Sequence, residues 1–195
     1  MSRTHQIPRS EPAKPMVANG QADRAPMVLD LEALENVRRG VGEHEAAEDQ
    51  SPWRQEIVAL LNGALATELV CALRYRRHHF TADGMAAPKI AEEFLVHANE
   101  ELAHADRLAR RIVQLGGKPD FAPDTLLQRS HAGYDESSDL KAMMMADLVA
   151  ERVAIESYTQ MIALVRSKDP ATGRLLEDIL SDEQEHAEEL KSWLA

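Results

Sequence analysis

The pattern of apolar and polar positions after residue 51 predicts four long helices. In each stretch the apolar side chains recur every three or four residues, which is the spacing of one helix face. Capping residues, prolines in the first turn and glycines past the last turn mark the ends. The helices are expected from Ser51 and Pro52 to about Phe80, from near Pro88 to a stop at Gly116 and Gly117, from Ser137 or Ser138 to about Lys168, and from Asp169 and Pro170 onward.

An acidic residue interrupts the apolar face of each predicted helix. In the first helix, Glu68 shares its face with Ile57, Leu61, Ala64, Cys71 and Tyr75. A carboxylate in such a position cannot stay ionised without a partner. The other interior acids are Glu101, Glu151 and Glu183, and a histidine follows two of them three residues later, at His104 and His186.

The connections between the helices predict how they pack. Loops of under about ten residues join the first helix to the second and the third to the fourth, so each pair should form an antiparallel hairpin. About twenty residues, 117 to 136, separate the two hairpins. A helix of about 28 residues is about 42 Å long, which twenty extended residues can span. The sequence therefore predicts an all-α four-helix bundle over residues 51 to 195, with a long crossover between helices 2 and 3.

The two hairpins repeat each other. Glu68 precedes Glu101 by 33 positions and Glu151 precedes Glu183 by 32, so their interior acids should meet at one depth in the bundle. The histidine three residues after an acid lies on the same helix face. Four carboxylates in a dry interior repel one another strongly. Two divalent cations would resolve this conflict, and oxygen ligands combined with imidazole suit iron or manganese.

Composition narrows the classes of function. The net charge of −11 argues against a nucleic-acid partner, because a phosphate-binding face needs clustered Lys and Arg. Cys71 is the single cysteine, so an intrachain disulfide and a CxxC-type zinc or iron centre are excluded. The sequence offers no apolar run typical of a signal peptide and no stretch of about 18 apolar residues to span a bilayer. A cytoplasmic protein without a membrane partner is expected.

Residues 1 to 50 are expected to lie outside the bundle. The first 26 or so are polar and carry four of the nine prolines, so they cannot bury enough surface to offset the entropy of ordering. We interpret residues 1 to 50 as a mobile, disordered extension with a short amphipathic helix near residues 29 to 40. Its basic side chains leave a weak contact with DNA or a partner protein open.

Four motifs of the bundle resemble the ferritin-like superfamily, most closely its bacterioferritin and Dps-like bacterioferritin branch. They are LNGALATEL with Tyr75, EELAHADR, DLVAERVAIESY and DEQEHAEEL, and the resemblance covers about residues 51 to 195. It implies that Glu101 and Glu183 bridge two iron ions, with manganese as the alternative metal, that Glu68 and Glu151 are terminal ligands, and that His104 and His186 each bind one metal. It also implies a ferroxidase that oxidises Fe(II) with O2 or H2O2 for iron storage in a homo-oligomeric shell.

Two features depart from that family pattern. Bacterioferritins place a haem-binding methionine directly after the bridging glutamate of the first ExxH motif, whereas this chain has Leu102, so no haem is expected there. The large cages use a short fifth helix, whereas this sequence continues for only nine residues after His186. A 12-subunit Dps-like shell or a smaller oligomer is therefore expected at least as strongly as a 24-subunit shell.

Further residues are candidates for supporting roles. Glu100 and Asp182, each directly before an ExxH motif, could orient the histidine of the opposite hairpin, or they could be surface acids. Tyr75 and Tyr158, seven residues after Glu68 and Glu151, could hydrogen-bond a terminal glutamate or simply fill the core. His97, four residues before Glu101, is either a core histidine or a ligand for a passing iron.

The same ligand set also fits other functions. A di-iron oxygenase and a manganese catalase-like enzyme share it, although the chain has no Gly-rich flavin motif and is short for a manganese catalase. A Dps-like DNA-protecting shell is the non-enzymatic alternative, for which the basic side chains of the extension are the only sequence support. Iron oxidation and sequestration is the first expectation.

Overall fold

The fold, seen in a computed structural model, is a bundle of four long helices with one short helix between its halves. The structure describes Glu32, Glu35, residues 52 to 84 and residues 87 to 195. The helices are α1 (Pro52–Thr81), α2 (Ala87–Gln114), α3 (Leu126–Arg129), α4 (Leu140–Val165) and α5 (Pro170–Leu194), and these described residues include no strand. The all-α prediction and its four long helices are confirmed. The predicted extension lies outside the described residues except for Glu32 and Glu35, which are helical.

The beginning of α4 differs from the prediction. Asp139 caps this helix by accepting a hydrogen bond of 2.9 Å from the backbone N–H of Ala142, so α4 begins at Leu140. The predicted start at Ser137 or Ser138 was wrong because serine and aspartate cap helices about equally well, and the sequence does not show which of them does so. The helix also ends at Val165, before the predicted Lys168.

The other helix ends agree with the prediction. The side chain of Asp169 caps α5 by accepting hydrogen bonds from two backbone N–H groups of its first turn, and Pro170 opens the helix. Gly116 adopts a φ of 78° just past α2, a conformation that favours glycine. Gly117 follows, and a Cβ atom there would lie only 2.6 Å from a methyl group of Val58. These two glycines therefore end α2 and let the chain turn closely over α1.

The crossover runs along α1 from its first half towards its end. Asn62 accepts a hydrogen bond of 2.8 Å from the backbone N–H of Asp120, and Thr67 accepts one of 2.9 Å from that of His131. Farther along α1, Arg77 donates to the carbonyl groups of residues 136 and 137, both at 2.8 Å. The crossover therefore carries the chain to the far end of α1, where α4 begins, as predicted. The short helix α3, which the sequence analysis did not predict, lies within it.

Two apolar layers enclose a polar layer in the middle of the bundle. The first layer contains Leu61, Leu65, Leu108, Ile112, Leu176 and Ile179, and the second contains Phe94, Met143, Leu148 and Leu190. Each long helix contributes to both layers, and its interior acid lies between those two contributions in the sequence. The packing of the bundle thus sets the height at which the four acids meet.

The composition of α1 differs from the expectation in one respect. This helix is long and apolar enough to cross a membrane, judged by length and composition alone, whereas the sequence analysis expected no such stretch. More than half of its most apolar window is buried inside the bundle. The same helix carries Glu68 and Arg74 among its buried residues. Its apolar side chains therefore contribute to the core of the bundle.

Candidate metal centre

Six buried side chains from the four long helices meet in the polar layer. They are Glu68 from α1, Glu101 and His104 from α2, Glu151 from α4, and Glu183 and His186 from α5. None of the six exposes more than 5% of its surface. The structure therefore brings together all six side chains that the sequence analysis expected at one depth.

These side chains form two overlapping groups, each compact enough to surround one cation. Glu68, Glu101, His104 and Glu183 offer one ligand atom each, and these atoms lie within 4.8 Å of one another. The same holds for Glu101, Glu151, Glu183 and His186. Because Glu101 and Glu183 belong to both groups, two cations bound there would share them.

The surroundings of His104 show why a cation suits the first group. Its Nδ1 lies 3.0 Å from Glu183, 3.2 Å from Glu101 and 3.5 Å from Glu68. One nitrogen can donate a single proton, so it cannot satisfy three carboxylates. A divalent cation with ligands at about 2.1 Å holds neighbouring ligand atoms about 3.0 to 3.4 Å apart. The observed spacings are therefore close to those of a coordination shell.

The second group contains buried ligand atoms that lack partners. Among the residues that the structure describes, no group with hydrogen-bonding geometry reaches Oε1 of Glu101, Oε2 of Glu151, either carboxylate oxygen of Glu183 or Nδ1 of His186. This nitrogen of His186 lies 3.6 Å from both Glu101 and Glu183. Unsatisfied buried polar atoms destabilise a fold. A cation bound by this group would supply a partner to one ligand atom of each of its residues.

The pKa is shifted upwards in four of the six groups and downwards in the other two. Burial raises the pKa of Glu68 and of Glu151 well above the usual value, and the negative charges of Glu101 and Glu183 raise both further. Burial acts in the same direction on Glu101 and Glu183, but the two adjacent histidines hold the pKa values of these glutamates below the usual one. The histidines themselves have raised pKa values, because their carboxylate neighbours outweigh burial.

The directions of these shifts favour an electrically neutral centre in the absence of cations. They favour ionised Glu101 and Glu183, protonated histidines, and protons retained on Glu68 and Glu151. Two divalent cations would also leave it neutral, with four carboxylates ionised and both imidazoles uncharged. The centre can therefore exchange four protons for two cations without placing net charge in the core, where net charge is strongly unfavourable.

Two tyrosines link α1 to α4 through the outer carboxylates. Tyr75 on α1 donates its hydroxyl hydrogen to Glu151, and Tyr158 on α4 donates to Glu68. Both rings are buried. Each tyrosine thus bonds to the glutamate of the opposite hairpin and holds one of its oxygens, which leaves the other free to face the centre.

Two acids on the outer side of the centre contact the second nitrogen of each histidine. The Nε2 atom of His104 lies 3.1 Å from Asp182, and that of His186 lies 3.0 Å from Glu100. Both acids are about half exposed on their side chains. Such carboxylate contacts fix the ring orientation and direct Nδ1 towards a metal. The two acids therefore lie where the sequence analysis expected acids that orient the histidines.

A second buried charge cluster beside the centre was missed by the sequence analysis. Nε of Arg74 donates to Asp147 at 2.7 Å, and Nδ1 of His78 lies 2.9 Å from the same carboxylate. Arg74 also donates to the carbonyl of Gly133 in the crossover at 2.9 Å. A signal was present, since Asp147 lies four residues before Glu151 and so on the same helix face. The cluster joins α1, α4 and the crossover close to the candidate ligands.

Other residues weighed from the sequence lie at the edge of this arrangement. Cys71 is buried, and burial raises the pKa of its thiol, so it is an unreactive core residue. Leu102 lies with Leu69 and Leu73 in an apolar cleft and offers no metal-binding atom. The expectation of no haem at Leu102 stays a prediction.

Comparisons with known proteins agree with this architecture. A model of the ferritin-like domain matches residues 58–195. Bacterioferritin of Desulfovibrio desulfuricans is 28% identical over 134 residues, which cover 68% of this chain and 71% of that protein. The nutrient stress-induced DNA-binding protein of Synechococcus sp. is 33% identical over 138 residues, which cover 69% of this chain and 78% of that protein.

A solved structure shows the same fold. The dodecameric thioferritin described as the bacterioferritin-related protein of Bacteroides fragilis superposes with a TM-score of 0.70 at 28% identity. The match covers 72% of this chain and 85% of the other. With the family model spanning well over half of its residues, this chain belongs to the ferritin-like domain family, in the branch that includes bacterioferritin and Dps.

Proposed function

We propose that this protein is a di-iron ferroxidase, which oxidises Fe(II) with O2 or H2O2 and takes part in iron storage or detoxification. The observation that carries the proposal is the pair of buried cation-sized groups sharing Glu101 and Glu183. Two Fe(II) ions held side by side can together give two electrons. With two protons these reduce O2 to H2O2, or H2O2 to two molecules of water, and each iron becomes Fe(III).

The six residues fill three roles in this proposal, each shared by a pair. Glu101 and Glu183 bridge the two substrate ions, and Glu68 and Glu151 each bind one of them from the outer side. His104 and His186 each supply one nitrogen through Nδ1. Carboxylate oxygens stabilise Fe(III) more strongly than Fe(II), because they are hard, negatively charged ligands. The four glutamates therefore favour the oxidised product.

The surrounding residues position these ligands. Tyr75 and Tyr158 hold one oxygen of each outer glutamate, and Glu100 and Asp182 hold the outer nitrogen of each histidine. A hydrogen bond accepted by a carboxylate keeps Nε2 protonated, so that Nδ1 presents its lone pair to the metal. In this proposal these four are positioning residues and do not bind iron.

The direct test measures Fe(II) oxidation by metal-free protein. Two Fe(II) per chain are added without oxygen, O2 or H2O2 is then mixed in, and the near-ultraviolet absorbance of the ferric product is followed. Wild type should oxidise Fe(II) far faster than buffer. In the Glu68→Gln variant the rate of Fe(II) oxidation should fall at least about 100-fold, because the substitution removes the charge of a ligand.

A matched control is available on the surface of α4. Glu156 is exposed and contacts Gln160 of its own helix, so Glu156→Gln makes the same chemical change away from the centre. It should leave the rate unchanged. Equal rates in wild type and Glu68→Gln would refute the proposal.

The same preparation distinguishes the alternative functions. A manganese catalase-like enzyme would contain manganese as isolated and would evolve O2 from H2O2. A di-iron oxygenase would hold two irons without accumulating a mineral. A DNA-protecting shell has one supporting observation, the 33% identical relative named as a DNA-binding protein, and would retard DNA in a gel.

We further propose that the protein forms a homo-oligomer. The similar structure from Bacteroides fragilis is described as dodecameric, which supports a 12-subunit shell over a larger one. The native mass of the purified protein tests this. The cytoplasmic location expected from the sequence stays a prediction.

A further inference from the structure

Arg107 on α2 lies outside the candidate metal centre and contacts one of the two acids on its outer side. Its Nη1 atom is 3.5 Å from Oδ2 of Asp182, the same oxygen that lies 3.1 Å from Nε2 of His104. Its Nη2 atom is 3.3 Å from Asp178, which lies one helical turn before Asp182 on α5. The planar guanidinium therefore bridges two carboxylates of α5, and one of these contacts a histidine of the centre.

The other half of the centre has no such anchor. Glu100 lies 3.0 Å from Nε2 of His186, as Asp182 does for His104. Within the described part of the chain, no lysine or arginine forms an ion pair with Glu100. The cavity beside it is lined by further acids, Glu93, Glu185 and Glu189. The two outer acids therefore differ, because a cationic side chain holds Asp182 and none holds Glu100.

The internal repeat of the sequence shows where this difference arises. The two ExxH motifs continue as HADR in α2 and as HAEE in α5, so the third position after the histidine is Arg107 in one half and Glu189 in the other. Residues three apart lie on one helix face. Arg107 reaches Asp182 of the opposite hairpin, whereas Glu189 lies 3.0 Å from the buried His97. The repeat is thus symmetric in its candidate ligands and asymmetric in the charge behind them.

Two effects of Arg107 on a cation bound at His104 oppose each other. By holding Asp182, Arg107 fixes the orientation of the His104 ring, which strengthens binding through Nδ1. Its positive charge repels the cation and so weakens binding. This repulsion is small, because a carboxylate and an imidazole lie between the two charges and solvent screens charges over about 8 Å at physiological salt. The positioning effect is therefore the larger of the two.

We propose that Arg107 is a positioning residue for one of the two cation positions. It holds Asp182 against His104 and leaves the position at His186 unaffected. This inference rests on the part of the proposed function that places two cations between the six side chains, and it is independent of any oxidation chemistry. A change at Arg107 should therefore affect one bound cation and not both.

Cobalt(II) titration of the metal-free full-length protein, in about 0.15 M salt, tests this inference. Cobalt(II) is redox-inactive here, and equilibrium dialysis with metal analysis counts the bound ions. Wild type should bind two Co(II) per chain tightly. In Arg107→Gln, one Co(II) should bind as in wild type and the other about fivefold more weakly. Loss of a positive charge would by itself strengthen cation binding, so weaker binding reports lost positioning.

A double-mutant cycle shows whether Arg107 acts through Asp182. Asp182→Asn should weaken one of the two cations about 10- to 100-fold, because it removes the carboxylate that orients His104. Adding Arg107→Gln to this variant should cause no further weakening. In a Glu100→Gln background, Arg107→Gln should weaken the second cation as well, because Glu100 contacts the other histidine.

The matched control is Arg110→Gln. Arg110 lies three residues farther along α2, is mostly exposed and pairs with Asp106 of its own helix. This variant should bind two Co(II) as wild type does. The melting temperature of metal-free Arg107→Gln should stay within about 3 °C of wild type, because a partly exposed ion pair contributes at most about 1 kcal/mol.

The outcomes separate this inference from the proposed function. Unchanged or tighter Co(II) binding in Arg107→Gln, equal weakening of both cations, or a further loss in the Asp182→Asn background would overturn the role of Arg107 while the centre stands. Fewer than two tightly bound Co(II) in wild type would refute the two-cation centre and the inference together. Two Co(II) per chain without Fe(II) oxidation would refute the ferroxidase alone.

Discussion

Replacement of Asp147 by asparagine should strongly destabilise the bundle, although the two side chains have nearly the same shape. Asp147 is fully buried and contacts Arg74 at 2.7 Å and His78 at 2.9 Å. The substitution would leave the guanidinium of Arg74, itself 1% exposed, without its counter-ion. Removing one partner of a buried ion pair costs about 3 to 5 kcal/mol. At about 3 °C per kcal/mol for a domain of this size, the melting temperature should fall by about 9 to 15 °C.

Thermal unfolding of metal-free protein, followed by circular dichroism at equal oligomeric state, measures this effect. Glu156→Gln on the exposed face of the same helix is the control and should change the free energy of unfolding by less than about 0.5 kcal/mol. A double variant, Arg74→Met with Asp147→Leu, should recover most of the lost stability because it removes both charges. A melting temperature of Asp147→Asn within 3 °C of wild type, on the scale of about 1 kcal/mol, would refute the reasoning.

Three other predictions follow from the centre and its surroundings. Tyr158→Phe removes the hydrogen bond to Glu68, so the cobalt(II) affinity of the centre, measured by titration, should fall about 10-fold. An unchanged affinity would mean that the Tyr158 hydroxyl does not position Glu68. Cobalt(II) binding at the centre should release up to four protons and strengthen as pH rises, because Glu68, Glu151 and the two histidines have raised pKa values and hold protons that the metal would displace. Calorimetry in buffers of different ionisation enthalpy measures the number of protons released, and no release would contradict the assigned protonation. Gly117→Ala should destabilise the bundle by about 1 to 3 kcal/mol, because its Cβ would lie 2.6 Å from a methyl group of Val58. Urea unfolding measures this loss, and Gly133→Ala is the control, since no described atom lies within 4 Å of its added carbon. Equal unfolding midpoints for the two variants would contradict the predicted crowding.

The sequence predicted the bundle and the meeting of its acids because both follow from helix periodicity. An acid in an otherwise apolar stripe is conspicuous, and a histidine three residues later must share its face. Two such hairpins with matched spacings fix the depth of each acid without any knowledge of how the hairpins dock. The six side chains at the centre are therefore the part of the site that local pattern determines most strongly.

Contacts between distant polar residues could not be predicted in this way. Arg74 and Asp147 are 73 residues apart, and His97 and Glu189 are 92 apart. Their contacts depend on how one hairpin is rotated against the other, which periodicity does not specify. The same rotation decides that Tyr75 reaches Glu151 rather than the glutamate of its own helix. Side chains are paired across the bundle by packing, so the sequence gives candidates and the structure gives the partners.

The overlap of the two cation groups has a consequence for biosynthesis. Each group takes side chains from both hairpins, and the two glutamates that the groups share come one from each. A chain that has only its first hairpin holds one of the two shared glutamates and cannot assemble both groups. Binding of a cation pair therefore requires completed folding, and a nascent or truncated polypeptide that lacks the second hairpin has no such centre.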